Sequence, residues 1–208
     1  MITIASVLRS GGDYNASHVA ILEASVKKHL SVEHSFVCLS DVECGVERIP
    51  LTDGWSGWWS KLELFKIPGP VIYFDLDTII INNLDSIVEK MLVPEFCILR
   101  DVFIGKKDPH SMQSSVMSWR GDMSELYKTF LESPEKYIKL YKGDQDFIYA
   151  QLGKTRAAYY QDILPNNIMS YKAHLRGKPI PPETKIVIFH GLPRPWQQTQ
   201  IPYDNIKK

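Results

Sequence analysis

The chain has 208 residues, 44% hydrophobic and 23% charged, which is long enough for one well-buried core and short for two. Lysine plus arginine equals aspartate plus glutamate at 24 each, so no global field marks it for nucleic acid or a membrane surface. Cys38, Cys44 and Cys97 are odd in number and lack close metal-type pairing, so they read as buried, reduced thiols and not as a disulfide framework or zinc site. Residues 1–8 contain no basic segment followed by a long apolar one, and no stretch approaches the ~20 apolar residues of a membrane span. A soluble, cytoplasmic protein is expected.

Residues 2–8 read as a first strand, Ser10-Gly11-Gly12-Asp13 as a turn, and 16–30 as a helix with Val19, Leu22 and Val26 inward. Residues 35–39 and 49–51 read as short strands, and 58–65 as a helix burying Leu62 and Phe65. After the breaker Pro68-Gly69-Pro70, residues 71–74 are β-branched and aromatic throughout, the mark of a strand buried on both faces. A second apolar run, 79–81, is followed by Asn82-Asn83-Leu84-Asp85, turn chemistry that leads into a helix. Further strands are expected at 96–99, 116–119 and 185–189, and helices at 123–131 and 146–152. This alternation predicts a single α/β domain with a mostly parallel sheet, whose ligands gather at the carboxyl ends of its strands. Pro179-Ile180-Pro181-Pro182 reads as a connection within that domain.

The most informative residues are Asp75 and Asp77, in Tyr73-Phe74-Asp75-Leu76-Asp77-Thr78. A central strand has no solvated face on which to hide charge, so two acids at its end need a cation or a proton. Hard carboxylate oxygens suit Mg²⁺ or Mn²⁺, above all when phosphate oxygens complete the shell. The structural alternative is that both acids end the strand and cap the next turn.

Four landmarks occur in order: Trp58-Trp59-Ser60-Lys61-Leu62-Glu63-Leu64-Phe65, the Asp75-Leu76-Asp77 segment, Gly143-Asp144-Gln145-Asp146, and Phe189-His190-Gly191-Leu192-Pro193-Arg194-Pro195-Trp196. Together they resemble glycosyltransferases of the GT-A fold, and among them family eight, which holds glycogenin and bacterial galactosyltransferases. The resemblance implies a single GT-A domain, a mixed, mostly parallel sheet flanked by helices, with 1–100 mainly nucleotide-binding and 101–208 on the sugar and acceptor side. It implies a Mn²⁺ or Mg²⁺ ion held by Asp75, Asp77 and His190 against the diphosphate of a nucleotide sugar, UDP-sugar being favoured, with Asp75 also near the ribose. Lys61 and Arg194 would contact that donor, Arg194 standing where the family usually has lysine. Asp144 would face the transferring sugar and Gln145 its anomeric centre, giving transfer with retention of configuration. Ser114 and Ser115 would line the sugar pocket, although Gln113 stands where asparagine is usual. Trp196 and Trp58 are the tryptophans expected near the site, Trp196 as a donor contact.

Arg9, just past the first strand, is placed to meet the base or phosphates, or else to form a surface salt bridge. Two readings from other classes compete. Asp-x-Asp-Thr after a hydrophobic strand is also similar to haloacid-dehalogenase-type phosphatases, whose first aspartate attacks phosphate, but those sequences prefer an intervening glycine near the amino terminus. The other is a catalytically silent module that binds nucleotide sugar or glycan. The acceptor is open between glycan, protein, lipid and modified nucleobase. Its recognition is expected from 101–110 and the tail after Trp196, where Lys106-Lys107 and Lys207-Lys208 offer charge to a phosphate polymer.

Overall fold

The computed structural model describes residues 1–105, 107–153 and 155–203. Lys106, Lys207 and Lys208 therefore lie outside the described residues. β1 (Ile2–Leu8) leads to α1 (Ala16–His29), β2 (His34–Ser40) and β3 (Glu47–Pro50). A 3₁₀ segment, Gly57–Lys66, precedes β4 (Val71–Phe74), β5 (Thr78–Ile80), α2 (Asp85–Met91), β6 (Phe96–Arg100) and β7 (Met112–Trp119). Then come α3 (Ser124–Glu132), α4 (Pro134–Leu140), α5 (Asp144–Leu152), β8 (Ala158–Tyr159), α6 (Tyr160–Ile163) and β9 (Ile168–Ser170). A π-helical turn, Tyr171–Leu175, β10 (Ile186–Ile188) and a 3₁₀ turn, Pro195–Gln197, follow.

Local chemistry explains the best-formed helix. Asn15 caps α1: its side chain accepts from the Ser17 N–H at 3.0 Å, and His18 Nδ1 accepts from the Asn15 N–H at 3.1 Å. Lys27, Lys28 and His29 occupy the last turn, where positive charge complements the helix dipole. α4, which the apolar pattern misses, begins with Pro134 in its first turn, where the fixed φ of proline suits a helix start.

Seven strands form the large sheet in the order β3-β2-β1-β4-β7-β6-β8. β7 runs antiparallel to both β4 and β6, and every other pairing is parallel. Both faces are covered. Along β1, Ile4 and Leu8 pack in the core beneath α1 and α2, whereas Ala5 belongs to the core that holds Leu62, Phe65, Phe130 and Phe147. That alternation is the two-residue period of a strand buried on both sides. A smaller sheet, β5-β10-β9, pairs β5 with β10 antiparallel and β10 with β9 parallel. No helix among the described residues is long and apolar enough to cross a membrane.

Two expectations are refined. The helix expected over 58–65 is 3₁₀, and it buries not only Leu62 and Phe65 but every residue from Trp59 through Phe65. Walled in on every side, it takes its shape from its neighbours and not from one apolar stripe. The strand expected at 116–119 begins at Met112, because Gln113, Ser114 and Ser115 are polar residues facing a site and so carry no hydrophobic signal.

Gly69 shows how closely the chain entering β4 approaches the chain leaving β7. Its N–H donates to Gly121 O at 3.0 Å, and a Cβ at this position would stand 2.5 Å from the backbone carbonyl of Arg120. Backbone cannot give way as a flexible side chain does, so Gly69→Ala is expected to destabilise the protein by about 2 kcal/mol. For a chain of this size that lowers the melting midpoint by about 4 to 8 °C, readable by circular dichroism; an unchanged midpoint would contradict the close contact.

Candidate functional site

The chain leaves β4 at Asp75, and its backbone turns at once. The Asp75 N–H donates to Ser115 O at 2.9 Å, the Thr78 N–H donates to Asp75 O at 3.0 Å, and β5 then starts the small sheet. Asp75-Leu76-Asp77 is thus the corner between the two sheets, at the carboxyl end of a central strand. It opens on a cavity of about 910 Å³ lined also by Lys61, Ser114, Asp144, His190 and Arg194, within the size range of small-molecule sites.

Each carboxylate has its own partners. Asp75 Oδ1 lies 2.7 Å from Lys61 Nζ and accepts from the Tyr73 hydroxyl; Tyr73 and Asp75, two apart on an extended chain, share a face. Burial alone would lower the pKa of Lys61, but Asp75, Asp144 and Asp77 outweigh it and the net shift is upward. Lys61 is a charged ammonium with its Nζ also 3.4 Å from Ser114 Oγ, not the solvated helix lysine that its residue type suggests. Asp77 Oδ2 accepts from Tyr14 OH at 2.6 Å and from Arg194 Nη1 at 3.1 Å. Arg194 also donates to Tyr14 OH and to Asp13 Oδ2, at 2.6 and 2.8 Å. Burial and the charge of Asp75 push the Asp77 carboxyl up to about 7, against the pull of Tyr14, Arg194 and Lys61.

Asp144 begins α5 and is 3% exposed, and among the described residues its Oδ2 has no hydrogen-bond partner. Burial raises its pKa, opposed by the charge of Lys61 and the hydroxyl of Ser114. Gln145 lines the cavity beside it. Ser114 and Ser115 reach the cavity through an irregularity in the sheet: Ile98 pairs with Met117, but Leu99 pairs with Gln113. Residues 114–116 are thereby released from β6, the usual means by which a bulge re-aims side chains at a site. Gln113 curls back, its Nε2 donating to Ser115 Oγ and its Oε1 accepting from the Ser115 N–H at 3.2 Å.

Other sequence-derived candidates are placed differently. Arg9 lines the cavity, yet its Nη1 is 2.7 Å from Asp41 Oδ2, so the salt-bridge alternative is realised at the cavity edge. Trp196 is not a cavity residue: it packs against Tyr14, His18 and Tyr203, with ring centroids at 6.0, 4.6 and 5.9 Å. It braces Tyr14, edge to face. His190 lines the cavity, but its Nε2 lies 2.6 Å from Ser170 Oγ and its ring stands edge-on to Phe103 at 5.1 Å. Burial and Lys172 lower its pKa, so the imidazole is neutral near pH 7. Tyr14, Tyr73 and Asp13 are site residues that the sequence motifs do not reveal; the only signal for Tyr14 and Asp13 is their position in the turn after β1.

The expected ion can be tested against this arrangement. Asp75 and Asp77 present hard oxygens to one cavity, and the raised pKa of Asp77 shows that its negative charge is under-compensated. That pair fits a Mg²⁺ or Mn²⁺ ion. His190 as placed does not join them: among the described residues no three of His, Cys, Asp and Glu cluster as metal ligands.

No family model matches the sequence, and no curated protein does. Solved structures do match. The glycosyltransferase GlyE in Streptococcus pneumoniae TIGR4 aligns with a TM-score of 0.65 and 13% identity, covering 96% of this chain and 57% of that one. The galactosyltransferase LgtC, in complex with donor and acceptor sugar analogues, aligns at 0.63 and 14%, covering 94% and 89%. The bifunctional glycosyltransferase WbbM aligns at 0.61 and 11%, covering 94% and 46%. The chain thus spans little more than half the length of GlyE. With a mixed seven-stranded sheet between helical layers and an acidic corner at the end of its central strand, the chain has the GT-A-like fold of these glycosyltransferases.

Proposed function

We propose that the protein transfers a sugar from a nucleotide-diphosphate sugar, a UDP-sugar by resemblance, to an acceptor, with retention at the anomeric carbon. The observation that carries this reading is the charge arrangement at one cavity: two carboxylates at the sheet corner, two cations against them, and Asp144 between the same walls, its Oδ2 without a hydrogen bond among the described residues. The fold and the ordered sequence landmarks support it. Residues 1–100 mainly hold the nucleotide, and 101–208 the sugar and acceptor. The three cysteines are free and buried, in keeping with a cytoplasmic setting. Nothing in the arrangement favours a phosphatase or a silent module.

Departure of a nucleoside diphosphate builds negative charge on its phosphates and positive charge on the sugar. Lys61 and Arg194 supply preorganised positive charge for the first, and both are held in place by aspartates before any donor arrives. Asp144, whose buried Oδ2 faces the cavity without a hydrogen bond among the described residues, steadies the second, and Gln145 orients the ring beside it. A divalent ion held by Asp75 and Asp77 would add Lewis-acid stabilisation of the diphosphate. The acceptor hydroxyl enters from the side that the diphosphate leaves.

The direct test is a thermal-shift panel of UDP-, GDP-, CMP- and dTDP-sugars with Mn²⁺ and again with chelator, since a ligand of the native state raises apparent stability. One donor class is expected to raise the midpoint only with metal. No shift with any donor would refute the proposal, and an equal shift under chelator would refute its metal part.

Asp77 adds a prediction of opposite signs. Its native pKa of about 7 lies above its model value of 3.8, so the native state holds the proton more tightly and stability falls as pH rises between the two. Asp77→Asn removes that loss. The variant is expected to gain on wild type as pH rises from 4 to 7 and to keep that gain above pH 7, while turnover of the donor falls about 100-fold or more. Denaturant unfolding at several pH values and donor-hydrolysis rates check the two halves; a variant as active as wild type would remove Asp77 from the site.

A further inference from the structure

Trp58 and Trp59 are adjacent, yet they have opposite fates. Trp59 is 7% exposed and stacks on Phe130, with ring centroids 5.4 Å apart and planes 11° from parallel. Trp58 is 65% exposed and lines the mouth of the cavity. Among the described residues its indole has neither a hydrogen bond nor a ring partner, whereas Trp196, the next most exposed tryptophan at 38%, is packed among three aromatic rings. Its aromatic plane is therefore open to a ligand that enters the cavity.

The backbone around Trp58 holds it there. Gly57 adopts φ +54°, a left-handed conformation that favours glycine, and its carbonyl accepts from Ser60 Oγ at 2.8 Å. On the other side the segment is anchored by buried Trp59 and by Lys61 on Asp75. The indole rests on Gly143, where a Cβ would come 3.3 Å from its Cε3. Gly143 immediately precedes Asp144, so the indole stands beside the wall that carries Asp144 and Gln145.

We propose that Trp58 is the stacking platform for a pyranose ring of the acceptor, which makes the acceptor a glycan or glycoside. This rests on the transferase reading and names the substrate class of its second site. A pyranose has an apolar C–H face that lies on an aromatic plane and hydroxyls around its edge that need polar partners. Beside Trp58 the cavity offers both, with Lys142, Gln145 and Asp146 among its lining residues. A lipid chain would call for a continuous apolar groove, and these neighbours are charged or amide-bearing. Phe103, the other exposed aromatic of the cavity, belongs to the His190 side, where it packs on that imidazole. A ring seated on Trp58 presents a hydroxyl toward Asp144, where the donor sugar is expected.

Saturation-transfer NMR on the full chain tests this with the methyl glycosides of glucose, galactose, mannose and N-acetylglucosamine, with and without UDP and Mg²⁺. At least one glycoside is expected to receive saturation on one ring face. The signal should fall roughly tenfold in Trp58→Ala, the loss of about one aromatic contact, and be largely kept in Trp58→Phe, both variants melting with wild type because the indole is solvent-exposed. The proposal is overturned if no glycoside is contacted in either condition, if Trp58→Ala keeps the full signal, or if wild type instead binds phosphatidylglycerol vesicles through Trp58. Stabilisation of wild type by a nucleotide sugar without any glycoside contact would overturn the platform and leave the transferase reading intact. Glycoside contact through Trp58 with no stabilisation by any nucleotide sugar would do the reverse.

Discussion

The arrangement of the site depends on one buried ammonium. Lys61 lies in a segment buried from Trp59 to Phe65, and its charge faces Asp75 at 2.7 Å with Asp144 and Asp77 in its field. Removing a charge from water costs several kcal/mol unless a counter-charge and hydrogen bonds replace the lost solvation. Here the dependence is mutual. Asp75 and Asp144 are tolerable at the end of a buried strand and the start of a buried helix because Lys61 is there. Lys61 is tolerable because they are. Asp77, further from Lys61 and answered by Arg194 from one side only, is left under-compensated, and its raised pKa records that residual cost.

The second constraint is the small sheet. The register of β5 against β10 sets Thr78 opposite Ile188, so the chain emerging from β10 comes out beside the corner that carries Asp77. That pairing is what returns His190 and Arg194 to an acidic pair more than a hundred residues earlier. Arg194 then fastens this loop to the turn after β1 through Asp13 and Tyr14, and Trp196 buttresses Tyr14. Three stretches distant in sequence therefore meet at one wall of the cavity, through sheet register and through the contacts of Arg194.

Much of this was legible in the residues. The strands at 71–74 and 96–99 announce themselves because both faces are buried and every position is apolar, and α1 carries a cap, a periodic face and a basic last turn. Asp75 and Asp77 stand out for the inverse reason, charge where a buried strand permits none. The ordered landmarks drew Lys61, Asp144 and Arg194 to the same cavity. Tyr14 and Tyr73 were not legible, because a tyrosine with its hydroxyl on a carboxylate looks, in sequence, like a tyrosine in a core. The resting positions of Trp196 and His190 were not legible for a related reason: a motif supplies residue types, but Ser170, Phe103 and Tyr14, against which those side chains lie, stand outside it.

The sequence by itself determined the alternation of strands and helices, the α/β class, and the point where charge breaks into the core, because these follow from local periodicity and from the cost of burying an unpaired carboxylate. Only the tertiary structure decided that Lys61 is buried, that β7 runs against its neighbours and bulges to deliver Ser114 and Ser115, that Trp58 faces out while Trp59 faces in, and that Arg194 sits on Asp77. Those outcomes depend on register and on contacts between distant segments. A one-residue change in strand pairing turns every side chain to the other face, and no local pattern carries that information.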